Sequence, residues 1–343
     1  MNKIAFVLVA VVLFSTACNK NFKVGADYKD ITAVFALLSA NDTLNYVKIT
    51  KGYYDETQDN LLLAQNSDSI YYNNLEVKME EISNGAVVQT FILPRVDLNL
   101  EGFIKDSGVF AQTPNYGYKF FKKDSLDPQR RYRLKIKNLT SGKEISSETE
   151  VINSDGLIFQ KPYINTQQLN FAVPFEIYTF AWGAPINAVF FDLVLRFWYQ
   201  EFNTNTLVMT RKFKDLPLVT NVLSSGAGGS ATLTNSDFYR VLNSELGIPP
   251  SHIVRRVDTP DLMLLTGGQV LKTYIDATTA QGGITYDQIK PNYTNMQGED
   301  VLGILSTRGI KIMYEIPFNK LTVDSIIHGS LTKNLSFVGE STE

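Results

Sequence analysis

The chain of 343 residues is poor in the side chains that usually carry metal or redox chemistry. It has one cysteine, Cys18, and two histidines, His252 and His328. A single cysteine excludes a disulfide framework and any zinc site built from several thiolates. Two histidines make a typical zinc site only if carboxylates complete it. The sequence therefore predicts neither a cofactor nor a metal site.

Sequence features of two common enzyme classes are also missing. The stretch "GGSAT" around Ser230 has Thr232 where a nucleophile elbow requires a second glycine. The glycine-rich stretch 224–231 lacks the lysine of a phosphate-binding loop and predicts a flexible surface loop. No catalytic residue is assigned, which favours a non-enzymatic role and leaves activity open. A glycoside hydrolase with paired carboxylates stays an alternative, because the fold sets the distance between two carboxyl groups.

An excess of positive charge is absent as well. The net charge is −3, so no global positive field attracts the protein to nucleic acid. Charged residues make up 20% of the chain and apolar residues 44%, which is the balance of an ordinary globular protein. The sequence thus predicts a folded chain with no nucleic-acid partner.

Long apolar runs are confined to the start of the chain. Lys3 precedes the charge-free stretch 4–14, and the small residues 15–17 follow it. This is the arrangement of a secretory signal peptide, and it is too short to span a bilayer as a mature helix. No later run stays apolar and charge-free for about eighteen residues, so the sequence predicts no membrane-spanning helix.

The small residues before Cys18 give the chain its one specific motif. "STAC" resembles the lipobox of bacterial lipoprotein precursors, although Ser15 stands where leucine is usual. The resemblance implies that residues 1–17 are cleaved and that the Cys18 thiol carries a diacylglycerol. Residues 18–27 would then be a lipidated tether to the membrane. Each buried acyl methylene contributes about 0.8 kcal/mol, so two or three chains anchor a protein durably. The alternative is an ordinary signal peptide in which Cys18 has no role.

The first part of the mature chain has the pattern of short antiparallel strands. In "RYRLKIKN", Tyr132, Leu134 and Ile136 alternate with charged residues, as in a strand with one buried face. Asn84-Gly85 lies between two apolar runs and predicts a type I′ hairpin turn. Aromatic residues make up 12% of the chain and favour strands. We therefore predict a mainly β protein with an Ig-like antiparallel β-sandwich domain at 28–155.

Residues 156–343 predict a second, β-rich α+β domain. The apolar run 187–202 indicates a long strand buried on much of both faces, with a hairpin partner at 206–213. Thr234 and Asp237 match a capping box that begins a helix, and Gly247 matches its end. The stretch 270–277 is left open between helix and strand.

Three further elements are predicted near the end of the chain. The run 302–318 indicates a hairpin that turns near Arg308-Gly309. The stretch 322–329 indicates a short helix ended by Gly329. A final strand is expected at 334–339.

Three stretches, 46–54, 64–81 and 290–312, resemble a Bacteroidota envelope lipoprotein family of uncharacterised function. The closing match is carried by Tyr293, Thr294, Asn295, Gly298, Gly303 and Ile304. The resemblance implies a sandwich domain followed by a β-rich domain, and it brings no catalytic residues. It also implies an outer-membrane location, with the periplasmic or surface face undetermined.

Four Asp-Ser or Asp-Thr pairs precede an apolar residue, which resembles the periplasmic O-glycosylation signal of this phylum. The candidate acceptors are Thr43, Ser69, Ser125 and Ser325. Such pairs are also common in turns and helix caps, so exposure decides between the two interpretations.

Together these features predict an envelope-anchored lipoprotein that acts as a binding or accessory module. Its candidate partners are an outer-membrane TonB-dependent transporter, by family-level analogy, or a glycan. Two alternatives stay open: a carboxylate-based glycan hydrolase at the cell envelope, and a structural or adhesion surface protein. A flat aromatic patch would favour the binding module, and a pocket with two convergent carboxylates would favour the hydrolase.

Overall fold

The computed structural model describes residues 31–52, 60–162, 168–173, 175–280 and 293–339. The fold is mainly β, with 47% strand and 16% helix. The predicted fold class, a β-sandwich-rich chain with a few short helices, is confirmed.

The strands of this part of the chain are β1 (Thr32–Ser39), β2 (Leu44–Lys51), β3 (Leu75–Ser83), β4 (Ala86–Ile92), β5 (Arg95–Asp97), β6 (Tyr116–Phe121), β7 (Arg131–Asn138), β8 (Glu144–Glu150), β9 (Phe159–Lys161), β10 (Ile177–Gly183), β11 (Phe190–Asn203), β12 (Val208–Leu223), β13 (Gly228–Thr234), β14 (Ile253–Val257), β15 (Asp261–Gly267) and β16 (Val301–Met313). The helices are α1 (Asn60–Gln65), α2 (Ser67–Ile70), α3 (Asn235–Leu246), α4 (Gln269–Ala280) and α5 (Lys320–His328).

The largest sheet among the described residues has nine strands in the order β12-β11-β15-β16-β1-β2-β6-β5, with β14 also paired to β11. A four-stranded sheet, β4-β3-β7-β8, faces the β1-β2-β6 part of the large sheet across one hydrophobic core. A three-stranded sheet, β13-β10-β9, lies with α3 and α5 around a second core on β11. We call the face of the large sheet that lines both cores its inner face, and the opposite face its outer face.

The sandwich includes β7, the strand in which buried apolar residues alternate most regularly with charged residues. Tyr132, Leu134 and Ile136 on β7 are at most 2% exposed and line the first core. Phe91 of the small sheet meets Phe120 of the large sheet with ring centroids 5.2 Å apart. The turn between β3 and β4 has positive φ at both central residues, as a type I′ hairpin requires.

The hairpin predicted at Arg308-Gly309 is wrong, because β16 runs straight through these residues. Residues 301–308 pair in parallel with β1, and residues 308–313 pair antiparallel with β15. Both halves of β16 thus have strand partners from distant parts of the chain, and no local turn is needed.

This shared strand joins the two predicted domains into one sheet. The first core holds side chains from Val34 to Val151 and adds Met296, Val301 and Leu305 from the end of the chain. The second core begins at Ile152. The boundary at 155 stays a prediction: the hydrophobic cores divide close to it, while the hydrogen bonding of the large sheet crosses it.

The long strand β11 is buried on one face only, which corrects the expectation of burial on both. Phe191, Leu193 and Phe197 point into the second core and are fully buried. The alternate residues, Arg196 and Trp198 among them, lie on the outer face and are partly exposed. A hairpin partner at 206–213 is confirmed, and β12 continues it to Leu223.

The predicted flexible loop at 224–231 is wrong in its second half, which begins strand β13. A β-carbon at Gly228 would collide with the backbone oxygen of Trp182, and one at Gly229 would lie 2.6 Å from Trp182 Nε1. These two glycines therefore allow close backbone approach to a buried tryptophan rather than mobility.

The helices are mostly where the sequence predicts them. Gly247 follows α3 as its C-cap residue, with φ 65°. The predicted capping box does not form, because Thr234 Oγ1 donates to the Asp237 carboxylate and not to a backbone group. The stretch 270–277, for which the sequence allows a helix or a strand, belongs to α4.

The predicted final strand at 334–339 is wrong. Lys333–Leu335 forms a 3-10 turn, and Phe337 makes a single bridge to Arg255.

The helices of the described ranges include none with the length and apolar character needed to cross a membrane.

Replacing Gly303 by alanine tests the parallel pairing of β1 and β16. Gly303 has φ 99°, and a β-carbon there would collide with the backbone oxygen of Val34. We expect Gly303→Ala to lower the free energy of unfolding by about 2–4 kcal/mol, measured by chemical denaturation. Gly108→Ala is the control, since no atom lies within 4 Å of the β-carbon it would add. Equal stability of the two variants would contradict the pairing.

Candidate binding surface

The outer face of the large sheet is covered unevenly. Helix α4 lies over β16 and β1, where Tyr274 contacts Phe35 with ring centroids 6.2 Å apart. The loop 98–115 lies over β2, where Phe103 contacts Tyr46 at 5.1 Å. Over β11 and β12, by contrast, the outer side chains are partly or well exposed. Trp198 and Phe213 are therefore aromatic side chains of this face that no helix or loop among the described residues covers.

Four side chains form a stack on this hairpin, which we call the aromatic–arginine ladder: Arg196, Trp198, Arg211 and Phe213. Trp198 and Phe213 are direct cross-strand partners, with ring centroids 4.9 Å apart. The Arg211 guanidinium lies 4.2 Å from the Trp198 ring, and that of Arg196 lies 4.4 Å from the Phe213 ring. Alternating cations and rings attract one another through the ring quadrupole.

Carboxylates fix the ladder in place. Arg196 donates two hydrogen bonds to Asp215, at 2.8 and 2.9 Å, and this bidentate contact raises the pKa of its guanidinium. Arg211 Nε donates to Asp258 at 2.7 Å, and Trp198 Nε1 donates to Asp261 at 2.8 Å. Each polar group of the ladder thus has a fixed partner, so the surface is preorganised before any ligand arrives.

The ladder faces solvent. Phe213 is 48% exposed, Trp198 is half-buried, and Tyr314 nearby is 69% exposed. Tryptophan, tyrosine and arginine are the residues most enriched at the energetic centres of protein interfaces. Isolated exposed apolar residues are common on any protein, but a stacked and fixed set of this composition is typical of a binding site.

A groove of about 650 Å³ begins at one end of the ladder, beside β14 and α5. Its polar lining comprises Gln200, Arg256, Asp258, Thr259, Lys320 and Asp324. Asp258 belongs to both features, because it lines the groove and accepts the hydrogen bond from Arg211. The ladder and the groove therefore form one continuous surface.

The groove holds two carboxylates, Asp258 and Asp324, which bears on the hydrolase alternative. Both oxygens of Asp258 are engaged: Oδ2 accepts from Arg211, and Oδ1 accepts from the Thr259 backbone N–H at 2.7 Å. A general acid or base has to exchange a proton with its substrate. An ion-paired carboxylate with both oxygens occupied is better suited to holding neighbouring side chains in place.

A second groove, of about 330 Å³, lies between α4 and strands β1, β2 and β16. Lys48 lines it, and burial lowers the pKa of this lysine to about 8. Its Nζ donates to Tyr71 Oη at 2.9 Å, to the Tyr116 carbonyl at 2.7 Å and to Asn115 Oδ1. An ammonium group has three donors, so this set satisfies all of them. Lys48 therefore fastens the loop that precedes β6 to the sheet.

Thr294 and Asn295, two of the residues that carry the family resemblance near the end of the chain, have a structural role. Thr294 Oγ1 donates to the Gly303 carbonyl at 2.7 Å. The Asn295 amide donates to the Leu305 carbonyl and accepts from the Leu305 N–H, at 2.8 and 3.0 Å. These two side chains thus bond the backbone of β16 ahead of the stretch that pairs with β15.

The predicted modification sites lie in different environments. Cys18, residues 1–17 and the tether 18–27 are outside the described residues. Thr43 and Ser125 are exposed and share one corner, where Lys122 donates to the backbone oxygens of both. Ser69 is half-buried in α2. Ser325 lies inside α5, and its hydroxyl donates to the Leu321 carbonyl at 2.8 Å.

The ladder was not predicted from the sequence. The sequence feature that indicates the ladder is the set of arginine and aromatic residues at every second position of each strand. These are Arg196 and Trp198 on β11, and Arg211 and Phe213 on β12. The register that sets Trp198 against Phe213 depends on the turn at 204–207, which the sequence does not determine. Across the described ranges, no three His, Cys, Asp or Glu side chains are grouped to hold a metal ion.

The titration of Lys48 gives a pH-dependent stability. Its pKa is about 8 in the folded chain and about 10.4 in an unfolded one, so the unfolded state binds more protons between these values. The cost of burying the charge is therefore present below pH 8 and is relieved as pH rises towards about 10.4. Burial also raises the pKa of the neighbouring Tyr71, which keeps it protonated in this window.

We expect the stability of the wild-type chain, relative to Lys48→Met, to rise between pH 8 and pH 10. Because Lys48 is only partly buried, the rise is smaller than the maximum of about tenfold in the unfolding equilibrium constant per pH unit. Chemical denaturation of both proteins at each pH measures it. A constant difference across this range would contradict the assignment.

Comparison with known proteins adds no assignment to this geometry. No protein-family model matches the chain, and no curated protein matches it. Any function proposed for the chain therefore rests on its own residues and contacts.

Proposed function

We propose that this chain is an envelope-anchored lipoprotein that acts as a binding module through the aromatic–arginine ladder. The observation that carries the proposal is the stack of Trp198 and Phe213 between two arginines that aspartates hold in place. The resemblance of residues 15–18 to a lipobox supports the lipid anchor at Cys18.

The ladder is suited to binding a partner with a rigid, flat surface. It lies on two hydrogen-bonded strands, so its backbone is rigid, and its guanidinium groups lose little freedom on binding because Asp215 and Asp258 already hold them. The rings provide apolar area at a small entropic cost. The exposed Met209, two residues before Arg211 on β12, extends the apolar surface towards the hairpin tip.

A protein of the same membrane is the partner class that we favour. Two proteins attached to one membrane meet at a high effective concentration, so a surface of moderate size is sufficient for stable association. The candidate is an outer-membrane TonB-dependent transporter, which rests on the family-level resemblance and not on the geometry.

The two alternatives fit the geometry less well. A purely structural or adhesion protein does not require a groove of about 650 Å³ beside a fixed aromatic stack. A glycan hydrolase is favoured by the two carboxylates of that groove, but Asp258 is ion-paired to Arg211. A glycan that binds in the groove without being cleaved is compatible with the proposal.

Affinity capture of the mature, lipidated protein from its native envelope tests the proposal. We expect Trp198→Ala and Arg211→Ala each to reduce recovery of the partner about tenfold or more, since both remove central contacts of the ladder. Arg240→Ala is the matched control, because Arg240 is an exposed arginine paired to Asp237 on α3, a helix that packs on the inner face of the sheet, opposite the ladder. Equal recovery with all variants would contradict the role of the ladder.

Intrinsic fluorescence gives a direct measure of the same contact. The chain has two tryptophans, and Trp182 is 1% exposed. Addition of the captured partner should therefore change the emission of Trp198 alone, and Trp198→Phe should abolish the change. Release of sugar from an envelope glycan by the purified protein would instead establish the hydrolase.

The O-glycosylation signals are proposed to function where their hydroxyls are accessible. We expect glycan on Thr43 and Ser125, which are exposed, and none on Ser325, whose hydroxyl is bonded within α5. Mass spectrometry of peptides from the native protein measures occupancy, with Thr43→Ala and Ser125→Ala as controls. Glycan on Ser325 alone would refute this ranking.

A further inference from the structure

Several connections meet at the end of the sandwich where β1 begins. The Ile31 carbonyl accepts a hydrogen bond from the Gly52 N–H, just beyond the end of β2. Thr32 Oγ1 bonds Tyr72 Oη, just beyond α2. The loop 98–115 leaves the sheet at the same end, because Asp97 of β5 pairs with Tyr116 of β6. The chain that leads back to Cys18 therefore joins the fold beside α1, α2 and this loop.

Helix α1 and the loop 98–115, whose two ends lie here, carry exposed apolar side chains, which we call the apolar end: Leu62, Leu100, Ile104 and Val109. Leu100 is 88% exposed, Ile104 is 82% and Leu62 is 65%. The loop is joined to α1 by a hydrogen bond of 2.8 Å from the Ala111 N–H to the Ala64 carbonyl. The side chains of the apolar end thus come from two segments that contact each other.

Polar contacts hold the loop in the conformation that presents these side chains. The Asn99 side chain accepts from the Lys105 N–H and donates to the Gln112 carbonyl, at 3.1 and 2.9 Å. Lys105 Nζ donates to the Ala111 carbonyl at 2.8 Å. A loop with its polar groups bonded inward and its apolar groups turned outward matches an apolar surface.

Ile31, the first residue that the structure describes, lies at this end of the sandwich. Residues 18–30 connect Cys18 to the fold and reach about 45 Å when fully extended. We propose that the apolar end rests on the lipid leaflet that holds the acyl chains of Cys18, with Leu100 and Ile104 inserted at the boundary of headgroups and acyl chains. This rests on the lipid anchor of the proposed function.

Charge around the apolar end is compatible with phosphate headgroups. Arg95 and Lys51 both lie beside Tyr72: Arg95 Nη1 donates to its carbonyl at 2.9 Å, and Lys51 Nζ is 6.0 Å from its ring. Arginine and lysine side chains close to a membrane surface are attracted to anionic lipid headgroups. Asp68 and Asp106 offset part of that charge, so the apolar side chains carry the contact.

The absence of any cysteine besides Cys18 allows a direct test. In the lipidated protein the Cys18 sulfur is bonded to a diacylglycerol, so Leu100→Cys or Ile104→Cys provides the only thiol for an environment-sensitive fluorophore. The labelled, lipidated protein is reconstituted in vesicles of phosphatidylethanolamine and phosphatidylglycerol. Ile186→Cys is the matched control: Ile186 is 77% exposed and lies near the opposite end of the large sheet, one residue before Asn187, which bonds Val151.

We expect the fluorescence at positions 100 and 104 to rise about twofold or more, with a blue shift, when the protein is in vesicles. The signal at position 186 should stay as in buffer. Brominated lipid should quench the first two labels and not the third. Signals at 100 and 104 that match the control would overturn the proposal.

Two further readouts separate the possible causes of failure. Mass spectrometry of the N-terminal peptide reports by itself whether Cys18 carries the diacylglycerol, so loss of the anchor is distinguished from loss of the leaflet contact. A rise at position 100 that disappears when the protein is diluted among more vesicles, with no quenching by brominated lipid, would show that a second copy covers this end, and it would overturn the lipid assignment. Neither result depends on the ladder.

Discussion

The pairing of β16 with two distant strands is the constraint on which the rest of the structure depends. Its first half pairs with β1 and its second half with β15, so this strand alone connects the two parts of the nine-stranded sheet. Thr307 lies where the partners change: its hydroxyl donates to the Leu38 carbonyl and accepts from the Ile152 N–H. The long loop closed by this pairing costs entropy, which the two cores offset by burying apolar side chains on either side of the strand.

One continuous sheet divides the molecule into faces with different roles. The inner face is buried in both cores, so its sequence is fixed by packing. The outer face has three zones: the loop 98–115 over β2, the helix α4 over β1 and β16, and the aromatic–arginine ladder on β11 and β12. Because core packing does not restrict the exposed side chains of the outer face, the residues proposed to bind lie there.

The sequence predicts what local patterns determine and misses what distant contacts determine. The alternation of Tyr132, Leu134 and Ile136 identifies a strand because burial of one face is its only requirement. Arg308-Gly309 imitates a hairpin turn, and only pairing with β1, far away in sequence, keeps that segment extended. Gly228 and Gly229 imitate a flexible loop because their contact, Trp182, is visible only in the fold. The ladder requires the β11–β12 register, which no local pattern provides.

The sheet also separates the proposed membrane contact from the proposed partner contact. The loop that carries most of the apolar end joins β5 and β6 near one edge of the sheet, while the ladder lies on β11 and β12 at the other edge. Strands β6 and β11 are five spacings apart in the sheet order, which is about 24 Å at about 4.8 Å for each spacing. The proposed leaflet contact and the proposed partner contact therefore involve different strands of the sheet. The partner that we propose in the same membrane would approach from the side, along the plane of the bilayer, and meet the ladder on β11 and β12.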